Sequence, residues 1–506
     1  MPTTLSQTIA AVLSPRTLAL IALGTYGGII VGALPGLTVT MATVLLVSLT
    51  YGMDMISAMA ILMGIYAGGV YGGSWSSILL NIPGAPSAIA TSFDGYPLAK
   101  RGEAGQAIGL VTAESFLGGI LGILALGVGA PALAEIALKF GPHEYFLLTM
   151  FGLVILSSLS GTSIEKGILS AALGLFFGCV GMDPIYGSGR FTFGNVYLLG
   201  GLHFVPVMIG LFGLSEVAMH MSRPFIEVVS TRQIGRVVPP LSEVIKNLWL
   251  TVRCAAIGVF IGALPGVGGD IAALTSYAHA KTTVKKPSRP FGEGAYEGVI
   301  APEVANNAAI GGALIPMITL GIPGDAVTAV LLGAMYIHGL KPGPMVMVEC
   351  RSFFWVIVLS SIIANVFMLL FGIGTFRYAA RVVFIKKEIL MPIVVVLCFV
   401  GAYAVDNNFF HVYLTVLFGL IGYVMKRLDI PVGPMVLGLI LGPIADVSLR
   451  RALILSKGTV VGLFATFLSR PISLVLLIAL LWILLYRVPV VKTLTARIFR
   501  GFVTQE

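Results

Sequence analysis

Residues Gly72–Thr91 read GGSWSSILLNIPGAPSAIAT, and the reading of this stretch decides the fold. It is apolar enough to enter a bilayer, yet Asn81-Ile82-Pro83-Gly84-Ala85-Pro86 interrupts it. The two prolines remove backbone donors and disfavour helix in the residue before each. Each arm, about nine residues long, is too short to cross a hydrocarbon core that needs about 20 helical residues. The expectation is two half-helices meeting at a tip, a re-entrant hairpin held at membrane depth by protein or a water-filled cavity. Gly311–His338, GGALIPMITLGIPGDAVTAVLLGAMYIH, repeats the device with its break at Gly321-Ile322-Pro323-Gly324. Interrupted segments in matching places of two halves point to a transporter's binding site.

Composition sets the class. Of 506 residues 57% are hydrophobic and 10% charged, and the mean hydropathy is +0.99. A soluble domain carries about 25% charged residues, so this chain is an all-α polytopic membrane protein. Apolar runs recur from about residue 17 to about residue 486, which predicts about 12 spans together with discontinuous helices. The 62 glycines suit close helix packing in lipid. The net charge of +9 comes from lysines and arginines in short loops, a pattern of cytoplasmic loops rather than of nucleic-acid binding. Cys179, Cys254, Cys350 and Cys398 stand singly, with no metal or redox spacing. The run after Arg16 reads as a first membrane helix, not a cleavable signal.

An internal repeat organises the chain. GALPG occurs at 32–36 and again at 262–266, an offset of 230; NIPG at 81–84 and GIPG at 321–324 follow at an offset of 240. Polar turns then close each hairpin, Phe93-Asp94-Gly95 and Ile337-His338-Gly339. The halves are 1–245, with its hairpin over 72–93, and 246–506, with its hairpin over 311–338 and the C-terminal helices. Equivalent loops differ in charge. Tyr51–Asp54 has no basic residue, whereas its counterpart carries Lys281, Lys285, Lys286 and Arg289; Lys100 and Arg101 follow the first hairpin, only Lys341 the second. Opposite basic content places equivalent loops on opposite sides of the membrane, so the repeats are inverted. The C-terminus (Arg487, Lys492, Arg497, Arg500), Arg377–Lys387, Lys426-Arg427 and Arg450-Arg451 are expected in the cytoplasm.

Several residues are placed to do chemistry. Pro35-Gly36 and Pro265-Gly266 break apolar helices, which frees carbonyls for a cation such as Na⁺ and half-helix N-termini for an anion; a plain proline kink is the competing reading. Asn81, Ser87 and Thr91 at one tip, and Thr319, Asp325 and Thr328 at the other, are short polar groups. Amides around Gly84 and Gly324 suit a substrate carboxylate. Asp325 repels an anion, so it either caps the second half-helix or helps to bind a cation. Ser74, Ser76 and Ser77 either face the site or bond their own helix backbone. Asn306 and Asn307, within PEVANNA, need partners: a ligand, or a neighbouring helix. Glu114 and Glu216 lie in apolar runs, where a carboxylate is a functional candidate. Asp183 and Arg190 read as a pair that fixes a loop. No GxxxxGK[ST], HExxH or GxSxG occurs, so neither an ATP engine of that type nor an enzyme is expected. No cofactor or metal is called for beyond a coupling Na⁺.

With these landmarks the chain resembles the large membrane subunit of the tripartite tricarboxylate transporters. The resembling stretches are GALPGLTVTMATVLLVSLTYGMD, YGGSWSSILLNIPGAPSAIATSFDGYPLAKRGEAGQAIG, GMDPIYGSGRFTFG, GALPGVGGDIAALTSYAHAK, PEVANNAAIGGALIPMITLGIPGDAVTAVLLGAM and GAYAVDNNFFHVYLTVLFGLIGYVMKRLDIPVGPMVLGLILG. Together they run from about Gly32 to Arg451. The resemblance implies a permease of the bacterial cytoplasmic membrane working with a small four-helix membrane subunit and a periplasmic substrate-binding protein. It implies uptake of citrate or another carboxylate, driven by a Na⁺ or proton gradient. The two tips and two GALPG breaks are expected to enclose one site, and the unit bearing them to move against a scaffold of other helices, elevator-fashion. A passive anion channel or a structural membrane scaffold is the rival reading.

Overall fold

The computed structural model describes residues 4–159, 163–221, 237, 239–376, 385 and 387–485. The basic C-terminal residues Arg487, Lys492, Arg497 and Arg500, and most of the Arg377–Lys387 loop, lie outside them. The chain is helical almost throughout; a two-residue pairing of β1 (Gly181–Met182) with β2 (Gly189–Arg190) is the sheet among the described residues. Among the described residues six helices are long and apolar enough to cross a membrane, or seven if Gly433–Leu455 and Val460–Ser469, bent by 93°, form one span. Five shorter apolar helices accompany them.

Contacts divide the chain into two units, residues 1–138 with 203–428, and residues 139–202 with 429–506. Both GALPG elements and both interrupted stretches belong to the first. Its site is built by α1 (Pro15–Ala33), α2 (Val39–Leu49), α3 (Met55–Leu80), α4 (Ile89–Lys100), α5 (Ala104–Ala137), α6 (Leu248–Gly262), α7 (Gly268–Thr283), α8 (Tyr296–Leu320), α9 (Ala326–Ile337) and α10 (Arg351–Gly374).

Small residues determine how these helices meet. A methyl on Gly24, Gly28 or Gly32 of α1 would stand 2.3, 2.6 or 2.2 Å from the carbonyl oxygens of Ile61, Ile65 and Gly69 of α3. The contacts advance together along both helices, so α1 and α3 run parallel with their backbones touching. The pairing recurs downstream, where Gly258 and Gly262 of α6 abut the Ala305 and Ala309 carbonyls of α8 at 2.3 and 2.5 Å. These are the same positions shifted by 230 on α6 and 240 on α8. In lipid, where apolar burial adds little, such close backbone approach is what holds helices together. Behind α3, Trp75 stacks edge-on between Tyr71 and Phe376, with ring centroids 5.8 and 4.7 Å apart.

The interrupted stretches differ from the hairpins expected above. Residues 72–80 are not a separate half-helix but the end of the 26-residue α3, and 311–320 likewise complete the 25-residue α8. Without proline between Met55 and Leu80 nothing stops α3 until Asn81, which is left-handed at φ 56°. Gly321 ends α8 in the same way at φ 70°. The amides that close the two ends also correspond: Asn81 to Ser77 and Ile82 to Ser76, then Gly321 to Met317 and Ile322 to Pro316, all shifted by 240. The chain then doubles back as an extended limb, with the Gly84 amide donating to the Gly73 carbonyl at 3.3 Å. Only the second arm, α4 or α9, is a short helix. Nor is Phe93-Asp94-Gly95 a turn: α4 runs through it to Lys100, because Asp94 bonds another segment instead of its own backbone. Ile337-His338-Gly339 does form the expected turn, with Gly339 at φ 76°.

Two ends of the first unit can be told apart. At one, Arg289 clasps Glu103 with two 2.9 Å bonds, and Asp94 accepts the amides of Gly292, Gly294 and Ala295 at 2.8, 2.9 and 2.8 Å. At the other, Tyr51 bonds Asp406 and Asp54 lies within electrostatic reach of His338. The basic loop after α7 thus shares an end with the loop after α4, and the loop after α2 shares the opposite end with the turn after α9.

Candidate functional site

The four breaks in the first unit pack on one another in pairs. A methyl at Gly84 would stand 2.2 Å from the Gly32 carbonyl, and one at Gly324 would stand 2.5 Å from the Gly262 carbonyl. Each extended limb therefore lies on the GALPG element of its own copy. The Gly266 amide also donates to the Pro323 carbonyl at 3.3 Å. Gly36, left-handed at φ 94°, is instead covered by the His220 ring, 2.7 Å from where a methyl would be. Pro35 and Pro265 are buried beside their glycines.

The two tips both approach Asp270 of α7. Asp325 caps α9 through a reciprocal box with Thr328: its Oδ1 accepts the Thr328 amide at 2.7 Å, and Thr328 Oγ1 accepts the Asp325 amide at 2.8 Å. Its Oδ2 accepts the Tyr66 hydroxyl of α3 at 2.5 Å. Asp270, in the first turn of α7, faces both Asp325 and the Ser87 backbone of the first tip. Asp270 is exposed to solvent. Gly268 gives Asp325 room: a methyl there would be 3.0 Å from its Cβ. Asn306 lies over Gly269, its Oδ1 2.4 Å from where a methyl would be, and its Nδ2 has no partner although the residue is 3% exposed. Asn81 is exposed at the end of α3. The N-terminus of α4 has no side-chain cap.

Other sequence candidates are occupied elsewhere. Thr91 donates to Glu303, as do Ser74 and Ser115, at 2.5, 2.5 and 3.0 Å. Glu303 thus ties α4, α3 and α5 to α8 with every residue of the knot fully buried. Asn307 returns its amide to the Glu303 carbonyl at 3.0 Å, leaving Oδ1 unpartnered. Ser76, Ser77 and Thr319 bond their own helices. Glu114 accepts Thr251 at 2.9 Å. Glu216 pairs with Lys426 and with His220. In the second unit, Asp183 joins Arg190 at 3.7 Å and Arg450 at 2.8 Å, while Arg190 and Arg450 both reach Asp446 at 3.0 Å. The Ile185 amide, helped by Arg450, holds Asp183 down at about 2. The four cysteines are free.

Sequence reasoning missed Asp270, Tyr66 and Glu303. A carboxylate within an apolar segment is a signal in itself, and Asp270 stands where the first copy has Thr40. Tyr66 and Asn306 are counterparts at the 240 offset; each looks toward the tip region from the middle of its long helix.

Such a fold and site define a polytopic helical membrane protein with polar side chains gathered between two interrupted segments. The chain belongs to the tripartite tricarboxylate transporter TctA family, whose pattern matches residues 18–437. It is 34% identical over 507 residues to the "Uncharacterized 52.8 kDa protein in TAR-I ttuC' 3'region" of Agrobacterium vitis, covering 98% of each chain. It is 35% identical over 243 residues to the "Uncharacterized protein in TAR-II ttuC' 3'region" of the same organism, covering 48% of this chain and 98% of that one. No solved structure matches.

Proposed function

We propose that this chain is the permease subunit of a binding-protein-dependent tripartite system, taking up a carboxylate of the di- or tricarboxylate type on a Na⁺ or proton gradient. The observation that carries the reading is the approach of both interrupted segments to Asp270, with Asp325 on the second alone. The first tip has the uncapped N-terminus of α4, Ser87 and the exposed Asn81, and carries no acid of its own, although Asp270 of α7 meets its Ser87 backbone. Helix amides there attract an anion. The second tip carries Asp325 and faces Asp270, which repel an anion and attract a cation. Substrate belongs at the first tip, within reach of Asn306, and the ion at the second.

Inverted halves of about 12 crossings in total are part of the proposal. Their support is the shared helix seams, the matching helix ends at constant offset, and the pairing of non-equivalent loops at each end of the unit. The partners follow from the family: a small membrane subunit and a periplasmic binding protein, in the bacterial cytoplasmic membrane with the basic C-terminus inside.

The test is labelled citrate uptake, beside a panel of other carboxylates, into proteoliposomes containing this chain, its small subunit and its binding protein under an imposed Na⁺ or proton gradient. Gradient-dependent uptake that requires the binding protein, and falls in Asn81→Ala, is expected. Downhill flux independent of the binding protein indicates a channel. No flux with any carboxylate, beside normal assembly of the three proteins, favours a scaffold.

A further inference from the structure

We infer that Asp270 and Asp325, with Tyr66 and Asn306, form a single binding site for one monovalent cation, a proton or Na⁺, at the junction of the two tips. The inference takes its purpose from the transport reading but rests on its own geometry. Two carboxylates from different elements, the first turn of α7 and the cap of α9, act on each other, and a methyl on Gly268, two residues before Asp270, would stand 3.0 Å from Asp325 Cβ. The groups that act on Asp270 are Asp325 and the Ser87 backbone; on Tyr66 they are Asp325 and Asp270. Among the described residues no lysine, arginine or histidine is one of them. Neighbouring charges of like sign disfavour ionising both, so such a pair favours sharing a proton or holding a cation.

Asn306 adds an independent observation. Its amide is 97% buried by its 3% exposure, lacks a partner on Nδ2, and projects onto Gly269, between the glycine that abuts Asp325 and Asp270 itself. A buried amide left incomplete calls for a missing partner, and it can present either its oxygen to a cation or its N–H to a carboxylate. Glu303 makes the contrast. It too lacks a basic partner, but three hydroxyls already saturate it at hydrogen-bond distance, which leaves no room for an ion.

The two copies also explain why there is one such site. Asp270 and Asp325 correspond to Thr40 and Ala85 in the first copy, so the acids belong to the second copy alone. A cation bound here neutralises the acids beside the first tip, and an anion arriving there then meets attraction rather than repulsion.

The experiment uses the purified full chain in lipid nanodiscs without substrate, so it is independent of uptake. Radioactive Na⁺ binding is measured by equilibrium dialysis across a pH series, and infrared difference spectra follow protonated carboxyl groups over the same series. The variants are Asp270→Asn and Asp325→Asn, the latter keeping an N-cap. If the site holds Na⁺, the wild type binds it saturably and each variant weakens it at least about tenfold. If it holds a proton, a carboxylic acid band titrates in the wild type and is missing from both variants. Should Asp270→Asn fail to fold by size exclusion, Asp325→Asn and Tyr66→Phe carry the test in its place. The proposal is overturned if Na⁺ binding is unchanged in the variants, or absent from the wild type, and no carboxylic acid band depends on either aspartate. Failure of citrate uptake with either positive result leaves the site standing and removes only the transport reading.

Discussion

Gly84 and Gly324 show how little space one residue is allowed. Each lies on a carbonyl of the opposing helix, Gly32 or Gly262, at a distance where a methyl cannot fit. Overpacking of this kind costs about 1–3 kcal/mol. Gly84→Ala and Gly324→Ala are therefore expected to lower the thermal midpoint in detergent, read by fluorescence-detected size exclusion. Gly52→Ala, where nothing stands within 4 Å, should leave it unmoved; equal midpoints for all three would refute the close packing. These glycines were legible in the sequence because they sit in the repeated GALPG and IPG words. Asp270 was not, since one acid in a polar-looking GVGGD segment gives no hint that it faces Asp325. Glu303 was hidden in a different way. PEVANNA drew attention to its amides, but only the packing of α3, α4 and α5 around α8 reveals that the glutamate collects three hydroxyls.

At the scale of the element, the breaks were legible and the arms were not. Proline and glycine stop a helix locally, so the stop at 81–85 could be read directly. Where the helix ending there begins cannot be read from the stop, and both arms prove to belong to helices of 25 or more residues. The second arms are short, and α9 depends on its cap. Asp325 serves two ends, the α9 amides and the Tyr66 hydroxyl, and substitution separates them. Asn keeps the capping oxygen while removing the charge; Ala removes both, at about 1 kcal/mol for the cap. Thermal denaturation should rank wild type close to Asp325→Asn, with Asp325→Ala clearly lower. The reverse order would mean that the cap contributes nothing and the charge everything.

For the whole molecule the decisive prediction concerns sidedness. Lys100 and Lys285 belong to the end marked by the Glu103–Arg289 pair, Gly52 and Lys341 to the end marked by Asp54 and His338. All four positions are exposed. In a cysteine-free background, Lys100→Cys and Lys285→Cys should react with an impermeant maleimide only from the cytoplasmic side of oriented vesicles. Gly52→Cys and Lys341→Cys should react only from outside. Labelling of Gly52→Cys and Lys285→Cys, which occupy equivalent loops of the two copies, from one side would rule out inversion.

By itself the sequence determined the class, the recurring words at fixed offsets and the places where helices break. Those properties reside in hydropathy, in short words recurring at fixed offsets, and in the local stereochemistry of proline and glycine. Loop charge was equally local, and it already suggested which loops lie together. Only the tertiary structure decided what the breaks enclose. Asp270, Asp325, Tyr66 and Asn306 come from four separate helices, and their neighbours are chosen by glycine seams that let backbones touch, a property no single segment carries. The same packing withdrew Thr91 from the tips to Glu303 and brought Asp270 to them, because a polar group inside a membrane takes whichever partner the neighbouring helix presents.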